Sequence, residues 1–114
     1  MKKIVIAMLI MIGMIGCQIQ KPMYSWYNYN ATSYNYQKNA DAASSQQMIE
    51  TYQKIVDRQT GSRQTVPPGI CADYGFLLLQ ANKVEEGKAM LMREIVLYPE
   101  SRLFIERILK MIEQ

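Results

Sequence analysis

The side chains able to do chemistry are few, and their spacing argues against most of it. Carboxylates stand at Asp73, Glu85, Glu86, Glu94 and Glu100, thiols at Cys17 and Cys71, and the chain has no histidine. A carboxylate working as general acid or base needs a nucleophile or metal ligand beside it, and no residue is spaced to be one. Lack of histidine removes the Ser-His-Asp and Cys-His constellations, histidine-bearing zinc sites and the usual neutral-pH proton carrier. The carboxylates read instead as solvated helix faces, with Glu85-Glu86 in a first helical turn, where acidic groups favour the positive end of the helix dipole. Cys71 has no base to make it a nucleophile and reads as a small buried residue on a helix face. The nine methionines form no copper-type cluster: Met1, Met8, Met11 and Met14 fall in an apolar N-terminal run, and four of the other five, Met48, Met90, Met92 and Met111, fill or edge a helical core. The expectation is a protein that is not an enzyme and uses no cofactor and no metal.

Cys17 carries the one chemical expectation. Lys2 and Lys3 precede a run of thirteen uncharged residues, Ile4 to Gly16, that stops at Cys17. A bilayer-crossing helix needs roughly 18 to 20 apolar residues, so this run has the length of an export-signal core. Met14-Ile15-Gly16-Cys17 resembles the bacterial lipobox, with Met14 where Leu is usual. That resemblance implies cleavage between Gly16 and Cys17 and lipid attachment at Cys17, through a thioether-linked diacylglycerol and usually a third acyl chain, such as palmitate, on the new amine. Each buried methylene contributes about 0.8 kcal/mol, so several chains hold the protein on the membrane. Gln18 rather than Asp follows the cysteine, which points to an outer-membrane lipoprotein of the bacterial cell envelope facing the periplasm. With Cys17 acylated, Cys71 has no intramolecular partner, and the fold is not stapled by a disulfide.

These residues must be positioned by a small framework. A chain of 114 residues and 13.2 kDa holds one domain. Lys plus Arg is 13 against 10 acidic residues, but Lys2 and Lys3 belong to the signal, leaving eleven against ten; nucleic acid is not implied as a partner. The organisation expected is a signal peptide over 1–16, a lipid-anchored Tyr-rich arm over 17–40 and a helical domain over 41–114. Six of the eleven aromatic residues, Tyr24, Trp26, Tyr27, Tyr29, Tyr34 and Tyr36, crowd thirteen positions of the arm. Period-two spacing at Tyr27 and Tyr29 and again at Tyr34 and Tyr36 predicts a short hairpin or an extended arm. Its rings either lie on the helical body with hydroxyls toward water or form a partner-binding surface for a glycan or another strand. Asn30-Ala31-Thr32 fits the glycosylation pattern by chance.

Beyond the arm the pattern is helical. Met48, Ile49, Tyr52, Ile55 and Val56 recur at spacings of three and four, with Ser44 or Ser45 as cap and Gly61 after the end. Four helices are expected, near 42–59, 69–81, 84–97 and 101–113. Tyr74, Gly75, Leu78, Gly87, Leu91 and Pro99 align with the tetratricopeptide unit, in which small residues let two antiparallel helices approach and Leu78 and Leu91 fill the groove between them. Departures are Cys71 at the usual Trp position, Gly87 for Ala, and Glu94 for a small residue. The segment from Pro99 to Gln114 reads as a polar-faced capping helix. The fold class expected is therefore all-α, a small tetratricopeptide-like helical domain behind the arm.

Cys17, Tyr24-Ser25-Trp26 with Tyr29, the Tyr34-x-Tyr36 pair, Val66-Pro67-Pro68-Gly69, Tyr74-Gly75 and Tyr98-Pro99-Glu100-Ser101 together resemble one small bacterial lipoprotein family, domain of unknown function 4810. The resemblance implies a partner of other envelope lipoproteins, including curli-secretion-channel-like ones, and assigns no catalytic residue. The function expected is a non-catalytic protein–protein adaptor held to the membrane by its lipid, with self-association as a further expectation. The alternative is glycan or peptidoglycan binding through the aromatic arm.

Overall fold

A computed structural model describes residues 1–13, 16 and 19–114 of the chain. The described residues are all-helical, with six α-helices and no strand. They are α1 (Lys2–Gly13), α2 (Tyr29–Asn39), α3 (Ala42–Asp57), α4 (Ile70–Gln80), α5 (Val84–Leu97) and α6 (Arg102–Ile112), with a 3-10 turn over Pro99–Ser101 leading into α6. At 1.5 Å per residue α1 is about 18 Å long, and no described helix is long and apolar enough to cross a membrane. Its apolar side chains Ile4, Val5, Ile6, Met8, Leu9 and Ile10 are exposed. The expected lipid attachment at Cys17 lies outside the described residues, while Gly16 is in a turn.

The hairpin or extended arm expected over the tyrosines is not what forms: Tyr29–Asn39 is helix. The period-two pairs misled because only Tyr29 and Tyr36, seven residues apart on one helix face, pack on the core, with Thr32 between them. Thr32 is buried; its Oγ1 donates to the Asn28 carbonyl (2.7 Å) and lies 3.2 Å from Thr51 Oγ1 on α3. A buried hydroxyl needs such partners; the Asn28 bond is local to α2, and the Thr51 contact, with Tyr29 and Tyr36 packed on the core, docks α2 onto α3. Ala40, in the left-handed conformation at φ 46°, ends α2, and Asp41 caps α3 at once. Neither Ser44 nor Ser45 is the cap. Ser44 N–H donates to Asp41 Oδ1 (2.7 Å) and Asp41 N–H to Ser44 Oγ (3.1 Å), a reciprocal box that also holds the Asp41 carboxyl below its ordinary range.

Helices pack in chain order: α2 on α3, α3 on α4, α4 on α5, α5 on α6. Met48, Tyr52, Ile55, Val56, Val66, Ile70, Tyr74 and Leu78 form the core between α3 and α4. A second core joins Leu91, Ile95 and Ile105, backed by Leu79, Ile108 and Leu109. Between α4 and α5 two glycines face each other: a Cβ on Gly75 would lie 2.8 Å from the Gly87 carbonyl oxygen, and one on Gly87 2.8 Å from that of Gly75. Only bare Cα atoms allow this approach. The turn between the helices closes with Asn82 left-handed at φ 64°, the Lys83 N–H bonding the Leu78 carbonyl and the Asn82 N–H that of Leu79.

Candidate functional site

The arm before α2 is clamped to the loop after α3. Ser62 and Arg63 donate their backbone N–H groups to the carbonyls of Pro22 (2.9 Å) and Met23 (3.1 Å). Ser25 and Gln59 bond reciprocally: the Ser25 N–H donates to Gln59 Oε1, and Gln59 Nε2 donates to the Ser25 carbonyl at 3.3 Å. Thr60 N–H donates to Ser25 Oγ at 3.0 Å, and the Tyr27 hydroxyl donates to the Arg58 carbonyl. Gly61 is buried against Met23 and Tyr24, where any Cβ would collide with their backbone. A cleft of ≈ 330 Å³ results, lined by Lys21, Pro22, Tyr24, Ser25, Trp26, Tyr27, Thr60 and Gly61.

The six arm aromatics therefore divide. Tyr24 meets Trp26 edge-on at 6.2 Å, Trp26 meets Tyr29 at 5.4 Å, Tyr29 meets Tyr52 at 6.0 Å, and Tyr52 stacks on Tyr74 at 5.8 Å. This chain of rings runs from the cleft into the core, each pair adding about 0.5–1.5 kcal/mol beyond its buried area. Tyr36 packs on the same core and its hydroxyl reaches Gln80 Oε1 at 3.4 Å. Trp26 and Tyr27 stay 42% and 48% exposed at the cleft, while Tyr34 is exposed on α2 away from it. A second groove of ≈ 270 Å³ lies between α2, α3 and α4, among Tyr36, Met48, Tyr52, Asp73, Phe76, Leu77 and Gln80. Its apolar walls push the Asp73 carboxyl above its ordinary range.

Of the residues singled out for helix packing, Tyr74, Gly75, Leu78, Gly87 and Leu91 are buried at the α4–α5 contact or the core beside it, and exposed Pro99 opens the 3-10 turn. Glu94, expected on a solvated face, is instead 2% exposed. Its Oε1 accepts the Gly69 N–H at 2.8 Å, while Oε2 has no hydrogen-bond partner among the described residues. Gly69 sits at the start of α4 with φ 88° and no side chain to cap it, so a carboxylate from α5 does the capping. The sequence signal was an acidic residue in a slot that wants a small one, opposite an uncapped glycine. Cys71 is fully buried beside it; burial first, and the Glu94 charge second, push its thiol from 9.0 up to about 11. A thiol so placed is a weak nucleophile. Among the described residues no cluster of three or more Cys, Asp or Glu could hold a metal ion.

The last helix exposes its charges Arg102, Glu106, Arg107 and Lys110, as a polar-faced cap would, but not these alone. Ile105 is buried and Ile108 and Leu109 turn to α5, but Leu103, Phe104 and Met111 are 65%, 62% and 67% exposed. Seven apolar residues in eleven are more than one contact face can cover.

No curated protein and no solved structure matches this chain. The family described as domain of unknown function (DUF4810) matches residues 23–108, from the clamped arm through α2, α3, α4 and α5 into α6, and the chain belongs to that family.

Proposed function

We propose that this protein is a lipid-anchored lipoprotein of the bacterial outer membrane, facing the periplasm, that works as a non-catalytic adaptor for another envelope lipoprotein or secretion-channel component. The observation that carries the reading is the outer face of α6, where Leu103, Phe104 and Met111 stand open at the end of a sequential stack. Solenoid-like arrays close their ends with polar faces, and an apolar end asks for a neighbour. The α4–α5 pair, with Gly75 against Gly87, supports a tetratricopeptide-like unit, an architecture suited to presenting helix faces to other proteins. Buried Cys71 and capping Glu94 support a structural rather than catalytic use of the groups best able to react.

The test is a pull-down from gently solubilised envelopes with wild type, Cys17→Ala and the pair Leu103→Asp/Phe104→Asp, bound proteins being identified by mass spectrometry. The adaptor reading expects stoichiometric recovery of one envelope protein by wild type and its loss with the α6 pair. Equal recovery by that pair, or recovery of peptidoglycan fragments alone, overturns it.

A further inference from the structure

Four residues, and so five Cα–Cα steps, separate Cys17 from Pro22, the first residue of the arm held to the body. At full extension those five steps reach about 18 Å. If the sulfur of Cys17 carries the anchor, as the reading above has it, whatever surface surrounds Pro22 must face the membrane at short range, since the headgroup layer alone occupies about 5–8 Å of each side of a bilayer.

That surface has the composition of a membrane interface. Ile19 and Met23 are exposed, Trp26 and Tyr27 are half exposed, and Lys21 shares their cleft. Trp and Tyr partition to the headgroup level because their rings are apolar with one polar edge, and a nearby lysine favours anionic headgroups by about 1 kcal/mol. The rings are also held in place. Tyr24 and Tyr29 flank Trp26. Tyr27 keeps a left-handed backbone at φ 50°, unusual for a bulky residue, while its hydroxyl bonds the Arg58 carbonyl.

We propose that the Lys21–Trp26–Tyr27 cleft is the membrane-contacting face of the protein, seated in the headgroup layer of the leaflet that holds its own anchor. The proposal rests on the lipid-anchored reading. It makes the arm an orienting device: the acyl chains hold the protein on the membrane, the cleft sets its tilt, and the other surfaces of the helical stack are left for partners.

Trp26 is the sole tryptophan, so its fluorescence reads the contact directly. The full chain is expressed in a host that processes lipoproteins, its acylation checked by intact mass, and the protein is reconstituted in phosphatidylethanolamine–phosphatidylglycerol vesicles with and without brominated acyl chains. Expected are a blue-shifted Trp26 emission, quenching by the brominated lipid, and less quenching in Lys21→Glu, whose substituted side chain is on the surface. Acylated protein whose Trp26 is quenched by aqueous iodide and not by bromine overturns the proposal and leaves the anchor standing. Absence of acylation overturns the anchored reading and the proposal with it. Emission that responds to soluble peptidoglycan fragments but not to vesicles also overturns it and makes the cleft a glycan site.

Discussion

Buried carboxylates are expensive to desolvate, and Glu94 is retained in the core with only one of its oxygens bonded. What it supplies is an acceptor for the Gly69 N–H at a helix start that has no capping side chain. Glu94→Ala should therefore lower stability by about 1–3 kcal/mol, because it strands a donor and opens a gap. Glu94→Gln, which keeps an acceptor oxygen, should cost less; urea denaturation midpoints of the two variants check the order. Cys71 beside it gives a pH prediction. Its thiol is raised from 9.0 to about 11, and burial raises the Tyr52 and Tyr74 hydroxyls as well. A group whose folded value lies above its unfolded one favours folding fully below the unfolded value and loses that contribution as pH climbs to the folded one. Stability should hold steady from pH 7 to about 8.5, with no histidine to titrate there, and fall between about pH 9 and 11. Denaturation at stepped pH reads this, and a Cys71→Ala chain should lose less over the same interval. Reaction of Cys71 with a thiol reagent at pH 8 should wait for unfolding.

Helix packing turns on two bare Cα atoms. A methyl on Gly75 or on Gly87 meets the opposite backbone carbonyl at 2.8 Å, and backbone cannot move aside as a side-chain tip can. Either Gly→Ala change should force α4 and α5 apart and lower stability by about 1–3 kcal/mol. Because the first methyl already opens the gap, the double variant should cost less than the sum of the singles, a coupling that a double-mutant cycle measures. Ala40→Gly should act oppositely: the residue ending α2 is left-handed at φ 46°, which glycine adopts without strain, and a gain of about 0.5–1 kcal/mol in thermal or urea unfolding is expected. The four helices from α3 to α6 were legible because apolar spacing of three and four residues, Gly61 after α3 and the Pro67-Pro68-Gly69 break mark them directly. The α2 helix was not, since the period-two pairs Tyr27/Tyr29 and Tyr34/Tyr36 hid the helical stripe of Tyr29, Thr32 and Tyr36 that packs on α3 and the core, where the Thr32 hydroxyl meets Thr51. The cap of α3 was misplaced for a related reason: Asp41 and Ser44 share the box, and sequence offers several residues able to begin it.

At the scale of the molecule, packing in chain order means that each helix is held mainly by its neighbours along the sequence, with α6 resting chiefly on α5 at the end of the stack. Periodicity announced that α6 would be amphipathic, but not that Leu103, Phe104 and Met111 would be left outside; which of seven apolar residues reach α5 depends on the crossing geometry. A stack of this kind opens from its ends, because local stability follows the contacts each unit makes with the next. Ile105 is the one fully covered side chain of α6, whereas α3 contributes Met48, Ile49, Tyr52, Ile55 and Val56 to a shared core. Amide exchange should accordingly be fastest among the packed helices in α6 and slowest in α3 and α4. Ile105→Ala, which removes the main link, should cost about 2–5 kcal/mol locally and abolish protection in α6. Protection in α3 should persist in that variant, since its core does not include residue 105; simultaneous loss in both helices would instead mean that the body unfolds as one cooperative unit. The same measurement bears on partners. A protein that covers Leu103, Phe104 and Met111 must slow exchange in α6 more than in α2, because only the terminal helix gains the neighbour that its position in the stack denies it.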